Sequence, residues 1–506
     1  MTKRSNVLLL FLVALSVGLT AQNTHSLKIE LSVDKDVQDN FQKDGRLFVF
    51  ITTSSRGEPR FNTWPSPSNI IFAKNISDFN VRQGLTIEAS ETWQKLNDWG
   101  LEAIPANEYY VQVLWDQDQT ESRTDAPGNI YSEKRKIDLN QDQAIKLSLK
   151  NIVAPRKLAD HELVKLVDFK SDALSNWWGK EMRLKASVLL PSDYDASKSY
   201  PIRYNVAGYG GRYTRINRLV GYKSFISWWE SDESPQIINV FLDGEGPFGD
   251  SYQMDSDNSG PYGYSLINEL IPHIESTYRG TNTAKTRFVD GCSTGGWVSL
   301  GLQLYYPETF NGCFSYSPDA IDFSHYQLIN IYKDQNAFTN EFGYERPVAR
   351  TTDGEPQLAL RNFIQYENIL GPSNTYLNSG GQFSAHTALY SPKGDNDLPK
   401  PLFDPVSGDI DSEVAEHWKK YDFSLYTEEN WTELAPKLEG KIYVWMGDMD
   451  NFYLNPATRA YDKVLKGLKN PVSDAQIEYS PMEGHCQQYN PQKVLEQMQA
   501  RLETIE

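Results

Sequence analysis

The chain has 506 residues and carries 67 Asp and Glu against 49 Lys and Arg, a formal net charge of −18. Acidity of that size argues against nucleic acid or an anionic membrane as a partner, because both repel it. The length is enough for two or three domains, each able to bury a core.

The first residues predict an export signal over 1–21. Met1-Thr-Lys-Arg4 is basic, residues 7–19 are apolar but too short to span a bilayer, and Thr20-Ala21 offers a small-residue cleavage site. A periplasmic or secreted protein is therefore expected. Loss of Lys3 and Arg4 makes the mature chain two charges more acidic. No cysteine near the cleavage point suggests a lipid anchor, and no later stretch is long and apolar enough for a membrane span.

Residues 22–155 predict a β-sandwich domain. Segments 26–33, 46–53, 69–75, 85–89, 109–115, 133–139 and 144–149 alternate or run apolar at strand length, punctuated by Pro, Gly, Asn and Asp. They hold no catalytic constellation, so this is a packing domain or a module that shapes the substrate cleft. After Ala154-Pro155 the pattern changes. Strands are expected at 162–169, 182–190, 200–207, 236–242 and 287–290, with helices at 264–278 and from the glycines after 293 to Pro307. Alternating strands and helices predict an α/β fold with a doubly wound, mostly parallel sheet over 156–506.

Within that sheet, Gly291-Cys-Ser-Thr-Gly295 has the G-x-S-x-G spacing of a nucleophile elbow. A serine held in a tight strand-to-helix turn needs small neighbours so that backbones can approach. The helix that follows points free N–H groups at the serine oxygen. An ordinary Gly-rich turn is the plainer alternative. The polar loop 248–262 follows the carboxyl end of a strand, where such sheets bind ligand, so Asn258 and Tyr262 are candidate substrate contacts. Asp255-x-Asp257-x-Ser259-Gly260 opens like a calcium loop, but its twelfth position is Leu266 instead of Glu, and no metal is expected.

Together, Tyr200-Pro201, Gly208-Tyr-Gly-Gly211, Glu269-Leu-Ile-Pro-His273, Tyr278-Arg279, the elbow, Pro307-Glu-Thr-Phe310 and Ser315-Tyr-Ser317 resemble the esterase D-like branch of the α/β-hydrolases, which includes feruloyl and enterochelin esterases. The resemblance covers about 160–323 and 438–492. It implies a serine carboxylic ester hydrolase without a cofactor. Its substrate is expected to be a small-molecule or oligosaccharide ester, acyl or phenolic, on a carbohydrate-type alcohol.

The family's chain order is serine, acid, histidine. Four histidines follow Ser293: His325, His386, His417 and His485. His485 fits both order and context, at the end of a short strand running into a glycine loop. Asp450 lies three past Gly447 and is the candidate acid; Asp448 and Asp322 stay open. The expected oxyanion donors are the backbone N–H groups of Thr294 and Tyr209, with Gly210 as the alternative to Tyr209. Ala207 stands where relatives often carry His.

Cys292 precedes the candidate nucleophile and Cys486 follows the candidate base. The order resembles tannase-type feruloyl esterases and glucuronoyl esterases, which implies a Cys292–Cys486 disulfide, although Thr294 replaces the Arg that glucuronoyl esterases carry. Cys313 reads as a core residue. Residues 324–437 exceed what the fold requires and predict an insertion acting as a lid. Trp297, with Trp228 and Trp229, is a candidate ring for stacking on substrate. Two other classes fit less well. A prolyl-oligopeptidase-type peptidase usually carries a propeller, and no blade repeat is present. A non-catalytic binding protein has no need of an intact Ser–Asp–His set.

Overall fold

A computed structural model describes residues 23–66, 68–88, 92–97, 99–118 and 121–504; the predicted export signal lies outside them. The amino-terminal part is a nine-stranded sheet folded over one core. In Leu27–Val33 every second residue is buried, the period of a strand with one wet face. It pairs in parallel with Gln143–Ile152. Gly45–Thr52 pairs antiparallel with Asn69–Ile76 and with Glu108–Asp116. Ile29 and Leu31 from one half pack with Val49, Phe72 and Val111 from the other. This is a sandwich, with Ile130–Ser132 joining the halves.

Gly45–Thr52 departs from alternation and is buried on both faces. The reason is tertiary. Its outward Phe48 and Phe50 pack with Leu114 against Ile369 from the far side of the chain. Arg46 donates to the Ile369 carbonyl at 2.8 Å on the same seam.

The second sheet has eight strands: β1 (Val164–Ser171), β2 (Met182–Leu189), β3 (Ile202–Val206), β4 (Ile238–Leu242), β5 (Arg287–Cys292), β6 (Cys313–Tyr316), β7 (Ile442–Gly447) and β8 (Gln476–Ser480). Their order is β1-β2-β4-β3-β5-β6-β7-β8. β2 runs antiparallel to its neighbours, and from β4 to β8 all pairs are parallel. This is the α/β-hydrolase sheet. β3, β4 and β7 are buried throughout, as expected when helices cover both faces. Beneath the elbow, Asp290 of β5 takes Arg203 Nε and Nη2 of β3 at 2.7 Å each. It also accepts Tyr489 Oη at 2.7 Å, which anchors the carboxyl-terminal loop.

The long connection from β6 to β7 carries the helices Leu360–Leu370, Gln382–Tyr390, Ser412–Trp418 and Phe423–Leu438. Much of it belongs to the core: Phe383, Leu389, Tyr390 and Trp418 share one apolar cluster with the sheet. Glu367, 1% exposed, accepts the N–H groups of Phe383 and Ser384 at 3.0 and 3.1 Å and so caps the Gln382–Tyr390 helix. No helix among the described residues is long and apolar enough to cross a membrane.

Candidate active site

β5 delivers Ser293 into the turn before the helix Thr294–Tyr305, with φ 62° and ψ −127°. Holding a non-glycine residue there costs about 1–3 kcal/mol, so the surroundings must enforce it. They do so by close contact. A Cβ at Gly291 would sit 2.5 Å from the Val206 carbonyl oxygen, and one at Gly295 would sit 2.2 Å from the same atom. Only glycine lets β3 approach this near. The Ser293 N–H is tied to the Tyr316 carbonyl at 3.0 Å.

β7 and β8 end side by side and bring the histidine to its acid. His485 Nδ1 lies 2.6 Å from Asp450 Oδ2. Asp450 is fully buried, and its Oδ1 accepts Phe452 N–H at 2.9 Å and Leu454 N–H at 3.2 Å. Asn451 Oδ1 accepts the His485 N–H at 3.0 Å, and the Phe452 ring meets the imidazole edge-on at 5.0 Å. Burial alone lowers the His485 pKa. The charge and hydrogen bond of Asp450, with the charge of Asp319, outweigh it and leave the group above its ordinary value. The other two acid candidates are committed elsewhere. Asp448 forms an ion pair with Arg459 at 2.6 Å. Asp322 caps the turn Phe323–His325 through Ser324 N–H and contacts His325 Nδ1 at 3.3 Å.

Cys292 and Cys486 are disulfide-bonded, with Cα atoms 6.0 Å apart across 194 positions of sequence. The residues beside the bond are Ser293 and His485, so sulfur holds the two chain segments together. Cys486 takes a left-handed φ of 59°, and its N–H donates to Ser317 Oγ at 3.1 Å. Among the described residues no hydrogen bond joins Ser293 Oγ to His485 Nε2; without substrate such contacts are often long. Cys313 is buried and free, its thiol pushed up to about 12 by burial.

Around the elbow the backbone donors divide clearly. The Gly210 N–H is spent on Asp250 Oδ2 at 3.3 Å. The N–H groups of Tyr209 and Thr294 have no acceptor among the described residues. Gly208 packs against Ser293, since a Cβ there would lie 3.5 Å from that of the serine. Arg123, from the amino-terminal part, donates to the Gly210 carbonyl at 2.6 Å and braces this loop. Tyr209 Oη donates to the Gly380 carbonyl.

Three predicted substrate contacts are corrected. Trp297 is fully buried, stacked on Phe423 at 4.6 Å, and offers no ring face to a ligand. Asn258 is 5% exposed, and its amide donates to the Ala388 and Ser391 carbonyls at 3.0 and 2.8 Å, tying the 248–262 loop to the insertion. Tyr262 is buried in the same core. Of the calcium-like loop, Asp257 contacts His417 at 3.0 Å and Lys420 at 3.4 Å. No metal-ligand cluster occurs among the described residues. Sequence reasoning missed Asp319 and His386, which line a small cavity together with Ser293. The His386 position was visible, but nothing local marks its partner 67 residues away.

A strained serine at the β5 elbow and an Asp–His pair at the ends of β7 and β8 define a serine hydrolase of the α/β-hydrolase fold. The chain belongs to the esterase family: the profile described as "Putative esterase" matches residues 179–505. It is a carboxylic ester hydrolase. No curated protein sequence matches it. Among solved structures, a ferulic acid esterase is similar at 14% identity, covering 67% of this chain and 98% of its own, with a TM-score of 0.42. An S-formylglutathione hydrolase from Agrobacterium tumefaciens is similar at 12% identity, covering 68% of this chain and 95% of its own, with a TM-score of 0.38. A CE1 ferulic acid esterase from Anaeromyces mucronatus is similar at 12% identity, covering 69% and 93%, with a TM-score of 0.33.

Proposed function

We propose that this esterase works through an acyl-enzyme on Ser293, with His485 as base and Asp450 as its orienting acid. His485 Nε2 takes the hydroxyl proton as Oγ attacks the ester carbonyl. The oxyanion is met by the N–H groups of Thr294 and Tyr209. The imidazolium is stabilised by Asp450 and returns the proton to the departing alcohol. Water then repeats the cycle, and its proton passes back through His485 to Ser293. The carrying observation is the 2.6 Å contact between His485 and Asp450, in a loop that a disulfide ties to the residue beside Ser293.

The substrates are carboxylic esters of small molecules or oligosaccharides, acyl or phenolic, and the enzyme acts in the periplasm or outside the cell. Family membership and the amino-terminal export pattern support this reading. The decisive assay is hydrolysis of p-nitrophenyl acetate by the parent, Ser293→Ala and His485→Ala. Losses of about 10³-fold or more in both variants, with unchanged melting, are expected. Retained turnover in Ser293→Ala would overturn the assignment.

A further inference from the structure

The cavity that Ser293 shares with the insertion is small, about 20 Å³, room for one water or one hydroxyl. Ser293, Asp319, Tyr326, Gln382 and His386 are among its walls. Asp319, 3% exposed, is held charged against its burial: His386 beside it and hydrogen bonds from Tyr252 and Thr294 keep its carboxyl below the ordinary range. Its Oδ2 already accepts Tyr252 Oη at 2.8 Å, Thr294 Oγ1 at 2.9 Å and Gln382 Nε2 at 3.3 Å. No bond falls on Oδ1 among the described residues.

His386 is 6% exposed and fixed from one side by Tyr326 Oη, 2.7 Å from its Nδ1. If that hydroxyl donates, the ring proton sits on Nε2. There it has no hydrogen-bond partner. Asp319 Oδ2, which already accepts three hydrogen bonds, lies 3.6 Å away, longer than a hydrogen bond. A buried donor, His386 Nε2, thus lies with Asp319 at one hydroxyl-sized space beside the nucleophile. Leaving that donor unpaired is costly, and an apolar group in that space would do so.

We propose that this cavity is a subsite for a hydroxyl next to the scissile carbonyl, so that the preferred acyl group is short and 2-hydroxylated. The hydroxyl donates to Asp319 and accepts from His386. A bulky aromatic acyl group does not fit the space. The inference rests on Ser293 being the nucleophile and narrows the acyl side of that reading.

The test compares p-nitrophenyl glycolate, acetate and propionate, with each kcat/KM divided by the ester's rate with hydroxide. The parent is expected to prefer glycolate over acetate by roughly 10- to 100-fold, the worth of a buried polar pair. His386→Phe should collapse that ratio towards unity while acetate turnover persists. His386→Gln, which restores a donor, should recover part of it. Equal corrected rates for glycolate and acetate in the parent would overturn the subsite, as would a ratio that survives in His386→Phe. If His386→Phe does not fold, the parent's ratio decides alone. Absence of turnover for all three esters would instead refute the esterase mechanism, so the two failures are distinguishable.

Discussion

Asp450→Asn is the sharpest probe of the proposed triad, because the structure separates the residue's two oxygens by task. Oδ1 holds the acid loop through Phe452 and Leu454 N–H, and Oδ2 faces His485 Nδ1 at 2.6 Å. The amide keeps the volume and can keep Oδ1. Its NH₂ then faces Nδ1 as a donor, and flipping the amide would set the NH₂ against two backbone donors instead. The imidazole is therefore driven to carry its proton on Nε2, where it cannot accept one from Ser293. The expected loss is about 10³- to 10⁴-fold in kcat, or about 4–5.5 kcal/mol at about 1.4 kcal/mol per decade. Melting should change little, since the loop contacts persist. The pH profile gives an independent sign. Asp450 helps to raise the His485 pKa against burial, and the base must be neutral to work. The acid limb of the parent therefore lies above the ordinary imidazole value of about 6.5 and should move to lower pH in the variant. The assay is kcat on p-nitrophenyl acetate from about pH 5 to 9, beside a thermal melt. A kcat within tenfold of the parent, or an unmoved limb, would refute the reasoning.

The disulfide closes a loop of 194 positions. In the chain-entropy account this stabilises by about 5 kcal/mol, so Cys292→Ala with Cys486→Ala should lower Tm by roughly 5–10 °C; an unchanged melt contradicts this. Arg123→Ala removes the brace on the Gly210 carbonyl and should lower kcat roughly tenfold with little change in KM, which steady-state kinetics on a short ester will read. Asp448→Asn breaks a pair whose arginine is 52% exposed, so kcat should stay within about threefold and stability within about 1 kcal/mol. A collapse of activity there would reopen the choice of acid.

Some of this was legible in the chain because it is locally imposed. A positive-φ serine in a strand-to-helix turn needs glycine at 291 and 295 for steric reasons, and the spacing declares it. β4 declares itself because a parallel strand buried on both faces is nearly continuously apolar. The acid was readable only as three candidates, Asp450, Asp448 and Asp322. Asp448 and Asp450 share the same loop, and it was Arg459, folding back from the next helix, that claimed Asp448. The aromatic and loop candidates failed for a different reason. Trp297, Asn258 and Tyr262 have the chemistry of ligand contacts, but composition carries no sign of which face a side chain will take: the first two are covered by the insertion and Tyr262 is buried in the core.

What the amino-acid order determined by itself is the set of short-range constraints: the elbow, the sheet's strands, and two cysteines each adjacent to a candidate reactive residue. Tertiary structure alone decided that the amino-terminal sandwich reaches the loop after β3, and that Asp319 and His386 meet beside Ser293. The physical reason is range. Steric demands act on neighbours along the backbone and leave a pattern there, whereas the pairing of buried polar groups depends on distances that exist only once the core has closed.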